Sequence, residues 1–198
     1  LSECEESPMQ TITAVASVNV GETLTWYDSI TGGSVVANPS LSSVGSVTYY
    51  GESSNDVTNC ISLTRTAVTL EILSGPAPPL FIGDRSECEE SPMQTITAVA
   101  NVNVGETLTW YDSVTGGSVV ADPSLSGVGS VTYYGESSND VTNCISLTRT
   151  AVTLEILSAP APPLFIGDRI ECEESPMQTI TAVANVNVGE TLTWYDSV

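Results

Sequence analysis

The stretch Glu22-Thr23-Leu24-Thr25-Trp26-Tyr27-Asp28 decides the fold of this 198-residue chain. Leu24 and Trp26 alternate with polar or amphipathic neighbours, and a period of two places the apolar side chains on one face of a half-buried strand. The same alternation runs from Ile12 to Val18. Because the period is two and not 3.6, these segments predict β-strands, with Leu24 and Trp26 facing a core.

Further apolar runs extend this pattern along the chain. Val47 to Tyr50 predicts one strand and Ile61 to Ile72 another, and a change of apolar phase in the second predicts a bulge near Arg65 to Ala67. About seven short strands, punctuated by turns and carrying one central Trp, predict an all-β fold of the antiparallel immunoglobulin-like β-sandwich type. The turn signals are Asn19 to Glu22, Thr31 to Gly33, Asn38 to Ser40 and Ser53 to Asp56.

An internal repeat organises the whole sequence. Ser2 to Gln10 recurs as Ser86 to Gln94, which gives a period of 84 residues, and recurs again with one change as Ile170 to Gln178. The first two copies differ at only six positions, which are Leu1/Arg85, Ser17/Asn101, Ile30/Val114, Asn38/Asp122, Ser43/Gly127 and Gly75/Ala159. A unit of this size suits a small domain with its own core, so we expect an excerpt of about 2.4 tandem domains from a longer array.

Proline-rich segments predict the domain boundaries. The segment Ser74 to Pro79 and its copy, Ser158 to Pro163, disfavour both helix and interior strand, and short proline-rich connectors are semi-rigid. We therefore predict an immunoglobulin-like repeat over residues 1–75 that lacks its first strand, a complete repeat over residues 76–159, and the start of a third, truncated repeat over residues 160–198.

Composition excludes several classes of function. The chain carries 24 Asp and Glu against 4 Lys and Arg, has no His, and bears a net charge of -20. The basic residues are all Arg, so no basic patch exists that would bind nucleic acid or an anionic membrane surface. Without His or Lys no catalytic constellation is visible, so we predict a protein that is not an enzyme, has no catalytic residue and needs no cofactor.

Each of the first two repeats carries the same ordered set of residues, which in the first repeat is Cys4, Trp26-Tyr27, Gly32-Gly33, Tyr49-Tyr50, Cys60 and Arg65-Thr66-Ala67-Val68. This set resembles the Ig-like tandem repeats of very large Bacteroidota cell-surface and gliding-motility adhesins. The resemblance covers every repeat. It implies a secreted protein at the extracellular cell surface that serves as an adhesin or filament stalk.

Cysteines occupy two fixed slots in each repeat, and an extracellular array favours disulfides between them. Cys4 is expected near one end of the sandwich and Cys60 near the other, which is too far for a bond within one repeat. We therefore prefer a disulfide across the junction, between Cys4 and Cys144. Pairing within each repeat, Cys4 with Cys60 and Cys88 with Cys144, stays open as the alternative, and the partner slot of Cys172 falls outside the sequence.

Two weaker patterns suggest sites for a metal ion and for glycans. The acidic residues at the repeat ends are candidate calcium ligands, although a solvated acidic surface is the preferred interpretation: Glu87, Glu89, Glu90 and Asp168. The short Asp-Ser-apolar pattern that the resembled family's phylum uses for O-glycosylation places candidate hydroxyls on Ser29, Ser113 and Ser197. An ordinary Asp/Ser turn explains the same three residues.

The sequence therefore predicts a mechanical function. We expect a structural repeat region that forms a stiff extracellular stalk or filament, whose partners are neighbouring repeats of the same chain and identical chains in a fibre. The alternative is a multivalent array that binds a polysaccharide or surface through one loop per repeat, either Asp28 to Ser34 or Ser53 to Asn59. Neither role involves nucleic acid or direct insertion into a membrane.

Overall fold

A computed structural model describes residues 1–196, and the regular structure within this range consists entirely of β-strands. The first repeat contains β1 (Ser2–Cys4), β2 (Ile12–Thr13), β3 (Glu22–Tyr27), β4 (Ser40–Leu41), β5 (Gly45–Asn55) and β6 (Thr66–Leu73). The second contains β7 (Leu80–Phe81), β8 (Arg85–Cys88), β9 (Ile96–Thr97), β10 (Ala100–Asn101), β11 (Glu106–Tyr111), β12 (Ser124–Leu125), β13 (Gly129–Asn139) and β14 (Thr150–Leu157). Beyond residue 159 lie β15 (Leu164–Phe165) and β16 (Ala184–Asn185). Within residues 1–196 no helix is long and apolar enough to cross a membrane.

Each of the first two repeats is built on a four-stranded sheet. In the first repeat the strand order is β1-β6-β5-β3, where β1 runs parallel to β6 and the other pairs are antiparallel. The second repeat has the same arrangement, with β8 parallel to β14 at one edge and β11 at the other. A short antiparallel pair, β2 with β4 or β9 with β12, faces this sheet and closes the core. The predicted all-β fold is confirmed.

The alternating residues of the Trp strand form the core. Trp26 lies opposite Gly51 in the ladder and packs with Ile12, Leu70 and Ile72, and Trp110 occupies the same place in the second repeat. Glycine opposite Trp leaves room for the core, because a Cβ at Gly51 would lie in tight contact with Trp26 Cζ3 at 3.3 Å and Leu24 Cδ1 at 3.1 Å. The prediction that Trp26 and Trp110 are core residues is therefore confirmed.

The predicted strand from Ile61 to Ile72 is shorter in the structure. Ile61 makes only an isolated bridge to Ser54, and the continuous strand β6 begins at Thr66, so the change of apolar phase marks a break and not a bulge. At this break the Arg65 side chain forms an ion pair with Glu52 of β5.

Strand β5 is longer than predicted and runs through the expected turn at Ser53 to Asp56. Ser53 and Ser54 continue the ladder against Leu24 and Thr23. The chain turns only after Asn55, where Asn55 Oδ1 accepts hydrogen bonds from Val57 N and Thr58 N.

Candidate functional site

The first two repeats are joined by a disulfide between Cys4 and Cys144, whose Cα atoms are 5.3 Å apart. Cys4 ends β1 and Cys144 follows β13, so the bond crosses from the first repeat to the second. This is the preferred pairing from the sequence, and the within-repeat alternative, Cys4 with Cys60 and Cys88 with Cys144, is not formed. Cys60, Cys88 and Cys172 are free and exposed.

Strand order explains why a cysteine pairs with the neighbouring repeat. Cys4 lies beside Leu73, at the end of the sheet where Gly45 starts β5. Cys60 accepts the N–H of Asn55 with its carbonyl oxygen, at the opposite end of β5. The eleven residues from Gly45 to Asn55 make ten steps that span about 33 Å at the usual strand rise, which is far beyond the reach of a disulfide.

Gly75 brings the two repeats into close contact beside the disulfide. Its N–H donates to Glu5 Oε1 at 2.8 Å, while Glu5 N donates to Leu73 O at 2.8 Å. A Cβ at position 75 would lie 2.3 Å from the carbonyl oxygen of Ile145 in the second repeat. Because that oxygen belongs to the backbone, only glycine permits this approach. The equivalent residue of the second repeat is Ala159, which donates to Glu89 Oε2 at 3.2 Å.

The proline-rich connector packs on the second repeat. Ser137 Oγ donates to the carbonyl oxygen of Ala77, and Thr150 Oγ1 donates to that of Pro79. β7 then pairs antiparallel with β10, and Thr153 N donates to Asp84 Oδ1 at 2.7 Å. The connector is thus held from Ala77 to Asp84 by the repeat that follows it.

A buried arginine organises one loop of each repeat. Arg149 Nε lies 3.0 Å from Glu136 Oε2, with both side chains about nine-tenths buried. Its guanidinium stacks 3.4 Å from the centre of the Tyr111 ring and donates through Nη1 to Ser113 O and Gly116 O. Arg65 makes the same set of contacts in the first repeat. Arginine suits this position because its planar, always charged group can stack and donate several hydrogen bonds at once.

The loop that Arg149 holds, residues 112–118, is called the Arg149-held loop and has little conformational freedom. Asp112 Oδ1 accepts the N–H of Ser118 at 2.8 Å, and a Cβ at Gly117 would lie 2.3 Å from that same oxygen. Gly117 also has a φ of 75°, which favours glycine. The loop is therefore a fixed surface feature.

Electrostatics around Glu136 act on Tyr111, whose hydroxyl donates to Glu136 Oε1 at 3.1 Å. Burial raises the pKa of Tyr111 above its ordinary value, and the Glu136 carboxylate raises this pKa further, while Arg149 opposes the change. The neutral phenol is the form that this site favours.

The junction also contains an open cavity of about 710 Å³. The Glu3–Ser7 segment of the first repeat lines one side, and Val114, Thr115 and Gly116 of the Arg149-held loop line the other. One of the two loops that the sequence offered for ligand binding, Asp28 to Ser34, is the first-repeat equivalent of this loop. The other, Ser53 to Asn59, is divided between the end of β5 and the following turn.

The candidate calcium ligands are not brought together. Glu87 forms an ion pair with Arg85 at 2.9 Å, and Glu89 accepts a hydrogen bond from the N–H of Ala159. Glu90 and Asp168 do not join these two residues in a cluster. Among residues 1–196, no group of three or more acidic or cysteine side chains is arranged to hold a metal ion.

The candidate O-glycosylation residues occupy the Arg-held loops. Ser29 and Ser113 are half-buried, and their hydroxyls make no hydrogen bond to the described residues. Their carbonyl oxygens accept hydrogen bonds from Arg65 and Arg149, respectively. Ser197 lies outside the described residues. Glycosylation at these positions stays a prediction.

The sequence did not predict the buried Arg149–Glu136 ion pair or the docking of the connector on the second repeat. An available signal for the first was that Arg65 and Arg149 occupy the same position of each repeat in a chain whose charged residues are mostly acidic. The second depends on hydrogen bonds between residues about 60 to 70 positions apart, which no local pattern indicates.

Comparison with known proteins places the chain in a family. The family described as "Ig-like domain CHU_C associated" matches residues 2–73 and 76–157. None of the curated proteins matches the chain.

Solved structures of similar fold include three multidomain chains. The fibronectin(III)-like modules of Clostridium thermocellum CbhA are 15% identical with a TM-score of 0.37, over 79% of this chain and 90% of that one. The N-terminal four Ig domains of Dscam1 isoform 6.44 are 13% identical with a TM-score of 0.30, over 82% of this chain and 50% of that one. Immunoglobulin domains 1-5 of Sidekick-1 are 14% identical with a TM-score of 0.28, over 85% and 40%. The chain thus spans half or less of the Dscam1 and Sidekick-1 chains that it matches.

The family match covers the first two repeats and agrees with the sandwich of each, so the predicted tandem Ig-like fold is confirmed. The chain belongs to the family of Ig-like domains described as CHU_C associated.

Proposed function

We propose that the chain is a structural repeat region of a secreted cell-surface adhesin and forms a stiff extracellular stalk or filament. The observation that carries this proposal is the Cys4–Cys144 disulfide, which links residues 140 positions apart in adjacent repeats. A bond across the junction restrains the two domains relative to each other, which a bond within one domain would not do. Disulfides also persist in oxidising compartments, which agrees with an extracellular location.

Three further features support a mechanical role. Gly75 allows direct contact between the repeats beside the disulfide, and the connector is anchored from Ala77 onwards. The net charge of -20 keeps neighbouring chains apart in solution. The proposal includes domain boundaries near Gly75 and Ala159, which the anchoring of Ala77 and Pro79 to the second repeat supports.

Electron microscopy of the intact full-length protein tests the stalk directly. We expect a thin beaded fibre with a period of roughly 40 Å, the length of one sandwich plus its connector at the usual strand rise. Compact or collapsed particles under oxidising conditions would contradict the proposal. The same fibre after selective reduction serves as the control, because loss of the disulfide should make it flexible.

A second candidate function is a multivalent binding array, favoured by one observation. The Arg149-held loop lines the cavity of about 710 Å³ at the junction, so each junction would present one copy of the same concave surface. Replacing Val114 and Thr115, and their equivalents in every repeat, with serine tests this role. Adhesion of the intact protein should fall steeply if the array binds its target and should be unchanged if the array is a stalk.

A further inference from the structure

The two sides of the second repeat differ in charge. Each strand of the four-stranded sheet carries one glutamate, and these are Glu87, Glu106, Glu136 and Glu155. The short strands β7, β9, β10 and β12 carry no charged residue, and neither do residues 76–83 and 94–105, which contain three of these strands. The sandwich therefore has a neutral side, although the chain bears a net charge of -20.

Strand alternation brings apolar side chains to the surface of this neutral side. Ala100 is buried in the core, so its neighbour Val99 points outward and is 45% exposed. Phe81 pairs with Ala100, and the residues on either side of it, Leu80 and Ile82, alternate to the same side as Val99 and are 67% and 54% exposed. We call this surface the neutral face and define it by five exposed residues: Leu80, Ile82, Thr97, Val99 and Asn101.

The junction between the repeats does not cover the neutral face. The second repeat is joined to the first near Cys144, and Val99 is exposed with that junction formed. The first repeat is joined to the second near Cys4, and Val15, the equivalent of Val99, is exposed as well. The neutral face is thus accessible with a repeat attached at either end of the sandwich, and its sequence recurs with the period of 84 residues.

Two acidic residues flank the neutral face in the sequence. Asp84 Oδ1 accepts the N–H of Thr153, so this carboxylate is held by β14 of the four-stranded sheet. Asp122 precedes β12, and its equivalent in the first repeat is the uncharged Asn38. The carboxylate of Asp84 is therefore engaged away from the face, and the charge at position 122 is not a constant feature of the repeats.

Repulsion between carboxylates decides which surfaces two copies of this chain can bring together. Packed sheets lie about 10 Å apart, and the Debye length is about 8 Å at physiological salt. When two neutral faces meet, the glutamates of each four-stranded sheet lie more than one Debye length from the partner and are largely screened. Contact between two four-stranded sheets would instead bring these carboxylates close together. The net charge therefore keeps chains apart on their acidic sides and leaves the neutral face as the surface on which they can touch.

We propose that the neutral face binds the neutral face of a second copy of this chain, so that two stalks lie side by side. The proposal rests on the stalk and deepens it, because it names the surface through which identical chains associate. Contact between two such faces removes the side chains of Leu80, Ile82 and Val99 from water. Three side chains bury less than the roughly 1,200 Å² of a stable interface, so the contact becomes stable only when it is repeated along the array. The period of 84 residues, shared by both chains, makes this repetition possible.

The mass per unit length of fibres of the intact full-length protein tests the pairing. Dark-field scanning transmission electron microscopy measures this quantity, and we expect twice the mass of one repeat in each period of the fibre. Stiff beaded fibres with the mass of one chain would overturn the pairing and leave the stalk intact, whereas collapsed particles would overturn both. Fibres of three or more chains would also overturn the pairing, because one face per repeat binds one partner.

A pair of matched variants locates the contact. Val99→Glu, made in every repeat, places a carboxylate on the neutral face and should halve the mass per unit length. Val141→Glu adds the same charge at an 87% exposed valine in the turn after β13 of the four-stranded sheet, and should leave the mass unchanged. Equal loss of pairing in the two variants, or no loss in Val99→Glu, would overturn the assignment of the face.

A charge-reversal mixture separates loss of contact from loss of folding. Fibres assembled from equal amounts of Val99→Glu and Val99→Lys chains should regain the twofold mass, because opposite charges then face each other. A mixture that stays single-chained would overturn the proposal.

Salt dependence gives a further readout. Pairing of the wild-type chains should strengthen as added salt screens the repulsion between their acidic sides. Pairing that weakens with added salt would show that charged groups make the contact, and would overturn the proposal.

Discussion

Replacing Arg149 with methionine should destabilise the second repeat strongly. Methionine keeps most of the side-chain volume but leaves the carboxylate of Glu136, a residue only 9% exposed, without its cation. Removing one partner of a buried ion pair costs about 3 to 5 kcal/mol. A domain of this size loses about 4 to 8 °C of melting temperature per kcal/mol, so the second repeat should melt at least about 12 °C lower.

Differential scanning calorimetry of the full chain measures this change against a matched control. Arg85→Met removes an arginine from the same repeat, but the Arg85–Glu87 pair is about 40% exposed and is worth less than about 1 kcal/mol. Adding Glu136→Gln to Arg149→Met should recover part of the loss, since no buried charge then remains. If Arg149→Met lowers the melting temperature no more than Arg85→Met does, the role assigned to the buried Arg149–Glu136 ion pair is wrong.

Three further predictions concern the junction and the charge of the second repeat. Gly75→Ala should force the backbone at Ile145 O to move by roughly 1 Å to restore normal contact. Because this contact lies beside the disulfide, the substitution should slow oxidation of Cys4 and Cys144 to the disulfide, which quenched alkylation measures. Stability supported by Tyr111 should be full below pH ~10 and be lost as pH rises through its raised folded pKa; equal alkaline unfolding of wild type and Tyr111→Phe would contradict this. Mass spectrometry after alkylation of the 198-residue chain should find no label on Cys4 and Cys144, which the disulfide protects.

Much of the fold follows from local sequence patterns. Alternation at Leu24 and Trp26 predicts strand and core together, because a strand buried on one face leaves only every second side chain inside. The cross-junction disulfide was also predictable, since strand direction alone separates Cys4 from Cys60 by the height of the sandwich.

The parts that sequence could not supply depend on long-range contacts. The end of β5 at Asn55 is set by pairing with β3 and not by the turn-forming residues within it. The connector is a docked strand because Ser137 and Thr150, distant in sequence, supply hydroxyl donors where the prolines supply none. The break before β6 coincides with the Arg65–Glu52 ion pair, which the local apolar phase cannot reveal.

The stiffness of the stalk is tested most directly by the distribution of distances across the first junction. Spin labels attached to unnatural amino acids at Val20 and Val104, equivalent and fully exposed positions in the two repeats, avoid the cysteines. With the Cys4–Cys144 bond intact we predict a single narrow distribution by double electron–electron resonance, and a wider one in the Cys4→Ser variant. A distribution that is already broad while the disulfide is intact would contradict the claim that the repeats form a stiff stalk.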